Sequence, residues 1–128
     1  MDFGIDMNKV GYNAMIASHT LAMASTEDKN EALAHIASML KKMKSFILDV
    51  NAKEVADAQS RSLPTPMIDR MTLTDARFNE MVEGIERVIA LHDPIGKILE
   101  GYTVPSGLNI MRRVVPLGVI GVIYESRP

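Results

Sequence analysis

The sequence of 128 residues contains no cysteine and no tryptophan. Without cysteine, these residues can form neither a disulfide framework nor a thiolate zinc site, and they hold no cysteine nucleophile. The ten methionines indicate an adaptable core, because methionine fills irregular gaps between packed side chains. A reaction that needs a thiolate nucleophile therefore requires residues that this sequence does not contain.

A surplus of positive charge and a long apolar run are also missing. The net charge is -2, which argues against nucleic acid as a partner because phosphate binding needs an excess of Lys and Arg. The cluster Lys41, Lys42 and Lys44 is expected to be a solvated helix side. No window approaches the ~20 apolar residues of a membrane span, and no basic start precedes an apolar core. We therefore expect a soluble, cytoplasmic protein without a nucleic-acid or membrane partner.

Two amphipathic helices are predicted in the first half of the chain. The apolar residues of the first are three and four positions apart, which places them on one helix face: Met7, Val10, Ala14, Ala17 and Leu21. A second helix is predicted to begin after Ser25, because Asp28 lies at capping-box spacing from it. The predicted buried face of this second helix is Leu33, Ile36, Leu40, Met43 and Ile47.

Two further helices are predicted before residue 93. Asn51 in "NAKEVADAQSR" is a possible N-cap of a short, separate helix, and the prolines of "SLPTP" interrupt the helical pattern after it. In "LTDARF", Thr74 is the predicted N-cap, with Leu73 and Phe78 placed to form a hydrophobic staple. The predicted buried face of this last helix is Phe78, Val82, Ile85 and Ile89.

The pattern changes to β after Pro94. "KILEGYTV" and "LNIMRRVV" are separated by "PSG", which predicts a hairpin with strands near 97–104 and 108–115. "GVIGVIY" is continuously apolar, as in a strand covered on both faces, and predicts a third strand over 118–124. The predicted fold class is α/β: a layer of about four helices, a β-hairpin and the start of a sheet whose other strands are missing.

Five segments together resemble one known family. They are "STEDKNEALAHIASML", "NAKEVADAQ", "MIDRMTLTDARFNEMVEGI", "DPIGKILEG" and "RRVVPLGVIGVIYESRP". In this order they are similar to the N-terminal part of the gamma-glutamyl phosphate reductases, a family of the aldehyde dehydrogenase superfamily. The resemblance runs from about Ala14 to Pro128, and "PLGVIGVIYESRP" is its most specific piece.

The resemblance implies a domain organisation and an activity. Residues 1–93 would be a helical region, 94–116 a β-hairpin region, and 117–128 the first strand of a Rossmann-like nucleotide-binding sheet. The chain would be truncated where that domain begins, and its start at Met1 favours a free-standing enzyme over a fused synthase. The implied reaction is NADPH-dependent reduction of L-glutamate 5-phosphate to the 5-semialdehyde in proline biosynthesis, carried out by a homo-oligomer.

The implied chemistry places the catalytic group outside these residues. In the family a cysteine thiolate attacks the acyl phosphate, and hydride from the nicotinamide reduces the thioester. With no cysteine present, the chain alone is predicted to be inactive. Doubly wound sheets bind ligands at the carboxyl ends of their strands, so the resemblance makes four residues the cofactor-binding candidates: Tyr124, Glu125, Ser126 and Arg127.

Several alternatives stay open from the sequence. Arg127 either binds a phosphate or carboxylate of the substrate or is a structural ion-pair partner. The Pro-Trp-Asn stretch of related dehydrogenases, whose Asn helps to hold the oxyanion, is absent, so no oxyanion role is assigned. The histidines lack metal-ligand spacing. An aldehyde dehydrogenase of other substrate and a non-catalytic helical assembly module are the competing functions.

Overall fold

The computed structural model describes residues 6–123. Four helices precede a two-stranded antiparallel sheet. The elements are α1 (Met7–Ala22), α2 (Thr26–Ser60), α3 (Thr65–Met71), α4 (Asp75–Ile89), β1 (Ile98–Thr103) and β2 (Asn109–Arg113). The predicted number of about four helices and the hairpin are thereby confirmed, although α2 unites two of the predicted helices and α3 was not predicted.

The described residues divide into two compact units. One contains residues 6–26 and 92–121, and the other contains residues 27–91 together with 122 and 123. The predicted boundaries at 93–94 and 116–117 concern the organisation of a larger enzyme and stay predictions.

The core of the second unit lies between α2 and α4. Phe78 and Val82 of α4 are buried against Ala37 of α2, and Phe78 is fully buried. The small side chain of Ala37 leaves room for the aromatic ring at this contact. Partly buried apolar side chains surround this cluster: Leu40, Ile47, Leu48, Leu73 and Ile85. Three of the four residues predicted for the inner face of α4 thus lie in this core, while Ile89 is partly buried outside the cluster. Burial of that face holds the two helices together.

The start of α4 also agrees with the sequence pattern. Thr74 is the N-cap, and its hydroxyl accepts a hydrogen bond of 3.2 Å from the Arg77 amide. Leu73 packs against the cluster that contains Phe78, as the predicted staple requires. These local signals fix where the helix begins.

The prediction that Asn51 caps a separate helix is wrong. α2 continues through this position to Ser60. The Asn51 amide nitrogen instead donates to the Met71 carbonyl at 2.8 Å, and the Leu73 amide donates to the Asn51 side-chain oxygen at 2.7 Å. The Asn51 side chain therefore ties the segment between α3 and α4 to α2 through one donated and one accepted hydrogen bond, a contact that we call the Asn51 latch. Because the side chain is used in this contact, it does not cap a new helix at residue 51.

The α2–α3 connection confirms the predicted interruption. α2 ends at Ser60, and Ser62 has φ 56°, the left-handed conformation common just after a helix C-terminus. Pro64 then stands at the N-cap of α3 and Pro66 in its first turn, where a missing amide proton costs nothing. The prolines thus end one helix and start another.

The first unit contains α1 and the hairpin. The carboxylate of Asp6 accepts hydrogen bonds from the amides of Asn8 and Lys9 and so caps α1, but no residue of α1 is buried. In the hairpin, Gly101 pairs with Met111 and Tyr102 with Ile110. All residues of both strands are exposed. The hairpin confirms the predicted turn at "PSG", although both strands are shorter than predicted.

The predicted third strand is not formed in residues 118–123, and Tyr124 lies outside the described residues. A strand needs a neighbour for its backbone hydrogen bonds, and the described part of the chain pairs none with this segment. Gly118 moreover has φ 82°, which departs from extended backbone. The apolar composition was therefore insufficient to predict the strand.

Replacing Asn51 with alanine is expected to lower the free energy of unfolding by about 1–3 kcal/mol, because a part-buried donor and acceptor lose their partners. The higher helix propensity of alanine offsets only part of this loss. The matched control is Gln59→Ala, an exposed polar residue on the same helix. Urea unfolding measures both variants, and equal midpoints for Asn51→Ala and Gln59→Ala would contradict the latch.

Candidate functional site

The four predicted cofactor-binding residues, Tyr124, Glu125, Ser126 and Arg127, lie outside the described residues. The segment that leads to them leaves the hairpin next to Lys97. There the Val114 amide donates to the Lys97 carbonyl at 3.0 Å, and the Gly96 amide donates to the Val114 carbonyl at 2.9 Å. These two bonds prolong the pairing beyond β1 and β2.

Within the described residues, a groove with several charged side chains lies between α2 and α4. It has a cavity volume of about 370 Å³. Its lining residues come from one face of each helix: Lys41, Lys44, Phe78, Asn79, Val82, Glu83 and Glu86. The apolar floor of the groove is the buried cluster described above, so the charged groups stand at the edge of the core.

Lys44 is the centre of this groove. Its ammonium lies 2.6 Å from the Asp75 carboxylate, donates to the Asn79 side-chain oxygen at 2.8 Å, and stands 5.6 Å from the centre of the Phe78 ring. The Asn79 amide in turn donates to Asp75 at 3.1 Å. The three polar side chains form a closed ring of contacts above the buried phenyl group.

This ring changes the acidity of Asp75. The hydrogen bond from Lys44 holds the pKa of the Asp75 carboxyl below its usual 3.8. Partial desolvation opposes this effect, while the positive charge of Lys44 and the hydrogen bond from Asn79 add to it. Asp75 also lies in the first turn of α4, where the helix dipole favours negative charge.

The other charges of the groove are paired as well. Lys41 lies 2.6 Å from Glu86, and Glu83 lies 3.7 Å from Arg87. Each exposed pair of this kind contributes little to the free energy of unfolding. The pairs nevertheless occupy the charged groups that a ligand would otherwise contact. We interpret the ion pairs across this groove as contacts that orient α4 on α2. Lys41 and Lys42 are exposed as predicted, whereas Lys44 is partly buried.

Two smaller grooves are also present in the described residues. One lies beside the Asn51 latch and is mainly apolar, lined among others by Leu48, Val55 and Leu73. The other is an open face of the hairpin around Tyr102 and Met111. Residues 6–123 contain no group of three acidic or histidine side chains able to hold a metal ion, and no helix in that range is long and apolar enough to cross a membrane.

Sequence reasoning missed the Lys44 ring. Asp75 and Asn79 lie four residues apart on α4, which the pattern already placed on one helix face. Their partner on α2, however, is 31 positions away from Asp75, and only the packing of the two helices brings it there. The sequence therefore indicated that Asp75 and Asn79 are neighbours but not that Lys44 joins them.

Acid titration tests the ring. Because the pKa of Asp75 is lowered in the folded state, its stabilising contribution is complete above pH 3.8 and is lost as the pH falls further. Between about pH 6 and about pH 3, wild type should therefore lose more unfolding free energy than Asp75→Asn. The control Asp49→Asn removes an exposed carboxylate from α2 and should behave like wild type. Parallel losses in all three proteins would contradict the assignment.

Known proteins resemble this chain along almost all of its length, although no family model matches it. Gamma-glutamyl phosphate reductase of Geobacillus sp. (strain WCH70) is 50% identical over 112 residues, 88% of this chain and 27% of that protein. Gamma-glutamyl phosphate reductase of Rhizobium johnstonii is 44% identical over 127 residues, 99% of this chain and 30% of that protein.

Solved structures agree with these relatives. Gamma-glutamyl phosphate reductase from Thermotoga maritima matches with a TM-score of 0.75 and 35% identity, over 80% of this chain and 25% of that one. The enzyme of the same name from Saccharomyces cerevisiae matches with a TM-score of 0.79 and 28% identity, over 84% of this chain and 28% of that one. By sequence and by fold, the chain belongs to the gamma-glutamyl phosphate reductases, and it spans about 27% to 30% of the length of these curated relatives.

Proposed function

We propose that the chain is one part of a reductase that converts L-glutamate 5-phosphate to L-glutamate 5-semialdehyde, with NADPH as the hydride donor and phosphate as the second product. The observation that carries the proposal is the similarity over 88% to 99% of the chain to curated gamma-glutamyl phosphate reductases. The substrate in that name is an acyl phosphate, and its reduction belongs to the biosynthesis of proline.

The proposed contribution of these residues is scaffold and one edge of the cofactor site. The nucleophile of the proposed reaction is a cysteine thiolate, and the sequence contains no cysteine. That group must therefore come from another part of the enzyme. The packed pair α2 and α4 and the hairpin supply fixed elements on which such a site can be assembled.

NADPH is the proposed cofactor, and Tyr124, Glu125, Ser126 and Arg127 are the residues proposed to line its site. The groove between α2 and α4 does not fit a dinucleotide. In the groove between α2 and α4 both lysines are already paired with acidic groups, and Glu83 and Glu86 would repel a pyrophosphate. The proposed cofactor site therefore lies outside this groove.

Arg127 is proposed to face the phosphate or carboxylate of the substrate, because a guanidinium binds such groups through two parallel hydrogen bonds. The assembled enzyme is proposed to be a cytoplasmic homo-oligomer. The exposed faces of the hairpin support association, since two strands with both faces open leave apolar side chains such as Leu99 and Met111 uncovered.

A chimera tests this proposal. The 128-residue chain replaces the matched segment of the Rhizobium johnstonii relative, whose similarity covers 99% of the chain. We expect the chimera to form NADPH from NADP⁺, phosphate and glutamate 5-semialdehyde, measured by the absorbance of NADPH. Activity with simple aliphatic aldehydes but not with the semialdehyde would contradict it, and so would a folded chimera without activity.

Within the chimera, Arg127→Ala should lower turnover at least tenfold, a loss of about 1.4 kcal/mol or more in transition-state binding. The matched control is Arg70→Ala, an exposed arginine of α3, which should leave turnover unchanged. Equal turnover of the two variants would assign Arg127 to a structural ion pair instead.

A further inference from the structure

An apolar stripe runs along the exposed side of α2. Its five side chains are spaced at intervals of three and four residues: Ile36, Met39, Met43, Phe46 and Val50. Their exposed fractions range from 39% for Val50 to 60% for Phe46. We call these five residues the outer stripe of α2. Spacing of this kind places apolar groups in one line for packing against another element.

The outer stripe is separate from the face that packs on α4. At about 100° per residue, its centre lies roughly 100° around the helix from the buried face that contains Ala37 and Leu40. The third side of α2 is polar and includes Ser38 and Ser45, both exposed. A helix with two apolar faces is suited to be enclosed on two sides, and the core of the second unit covers only the face that packs on α4.

The described residues bury little apolar surface for a chain of this size. Only Ala37, Ala58, Phe78 and Val82 are buried hydrophobics among them, and three of these are small or medium in size. Single exposed apolar residues are normal on protein surfaces. Five apolar side chains aligned on one helix face are different. With about half of some 200 Å² exposed on each side chain, they offer on the order of 500 Å² of contiguous apolar surface, which is near the upper end for the largest patch on a monomeric protein.

The size of the stripe bears on what covers it. Two copies of the chain joined through this stripe alone would bury about 1,000 Å², which is below the roughly 1,200–2,000 Å² of stable interfaces. A covalently continuous partner needs less area, because its effective concentration is high and little translational freedom is lost. The relatives supply such a partner, since the chain spans only 27% to 30% of their length.

We propose that the outer stripe of α2 is the docking face for the remaining polypeptide of the reductase, which presents an apolar surface to it. The inference rests on the proposed function in one respect: it takes the rest of the enzyme to be that of a gamma-glutamyl phosphate reductase. The stripe itself contains no ionisable residue, so the contact is a dry one. Lys42 and Asp49 flank it and stay at the polar margin.

The lack of cysteine makes the stripe directly measurable. Phe46→Cys introduces one thiol, and Ser45→Cys introduces a thiol in the neighbouring position on the polar side. Both fall in the same tryptic peptide, residues 45–53, so mass spectrometry measures each separately from any other thiol. Labelling rates under native conditions are compared between the isolated chain and the Rhizobium johnstonii chimera.

We expect the thiol of Phe46→Cys to react at least 100-fold more slowly in the chimera than in the isolated chain. The thiol of Ser45→Cys should react within about threefold of the same rate in both, as an exposed control. Met39→Cys, whose thiol lies in tryptic peptide 30–41, gives a second reading of the stripe if Phe46→Cys prevents folding of the chimera. Slow labelling of Met39→Cys in the chimera would support the docking equally.

Three results would overturn the proposal. The first is equal labelling of the stripe thiols in both proteins. The second is protection of Ser45→Cys together with Phe46→Cys, which would mean general occlusion of α2. The third is protection in the isolated chain that grows with its concentration, which would identify a second copy as the occupant. Enzyme activity is measured separately: a protected but inactive chimera contradicts the proposed function alone, and an active but unprotected one contradicts the docking alone.

Discussion

The contact of Phe78 with α2 is the one on which the rest of the second unit depends. Phe78 is the one large side chain that is fully buried within residues 6–123. Leu73, just before α4, packs against the cluster that contains it, Val82 continues its face one turn later, and Lys44 lies over its ring. Loss of a buried phenylalanine ring costs about 3–5 kcal/mol, a large part of the stability of a small domain. The caps, the latch and the ion pairs orient elements that this burial holds together.

Local signals explain what could be predicted from the sequence. The start of α4 at Thr74 and the hairpin turn before Leu108 depend on residues a few positions apart, and both were predicted correctly. Asn51 was misassigned because the same side chain can cap a helix or bridge two backbone groups. Its actual partners are 20 and 22 positions away. Tertiary contacts decided between two locally acceptable roles.

The inner face of α2 shows a second limit. Leu33, Ile36, Leu40, Met43 and Ile47 were predicted to face the core, yet Ile36 and Met43 are exposed members of the outer stripe. Periodicity near 3.6 identifies an apolar helix but does not separate two apolar faces that lie about 100° apart. The strand predicted over 118–124 is not formed in its described part, 118–123, for a related reason: a β-branched run becomes a strand only where a neighbour completes its hydrogen bonds.

Fewer of the predictions about the candidate site than about the fold could be compared with the structure, since none of the four residues that the resemblance assigned to the cofactor lies in the described part. The family was nevertheless predicted correctly, because the resemblance extended along almost the whole chain and did not depend on one motif. The proposed function and the exposed outer stripe are consistent with each other, because both require a part of the enzyme outside these residues. In the proposed reaction the nucleophile comes from a part of the enzyme outside these residues, and the proposed docking would use that same part to cover the apolar surface that this segment leaves open. Burial of that surface would couple the folding of the helical layer to assembly of the catalytic site.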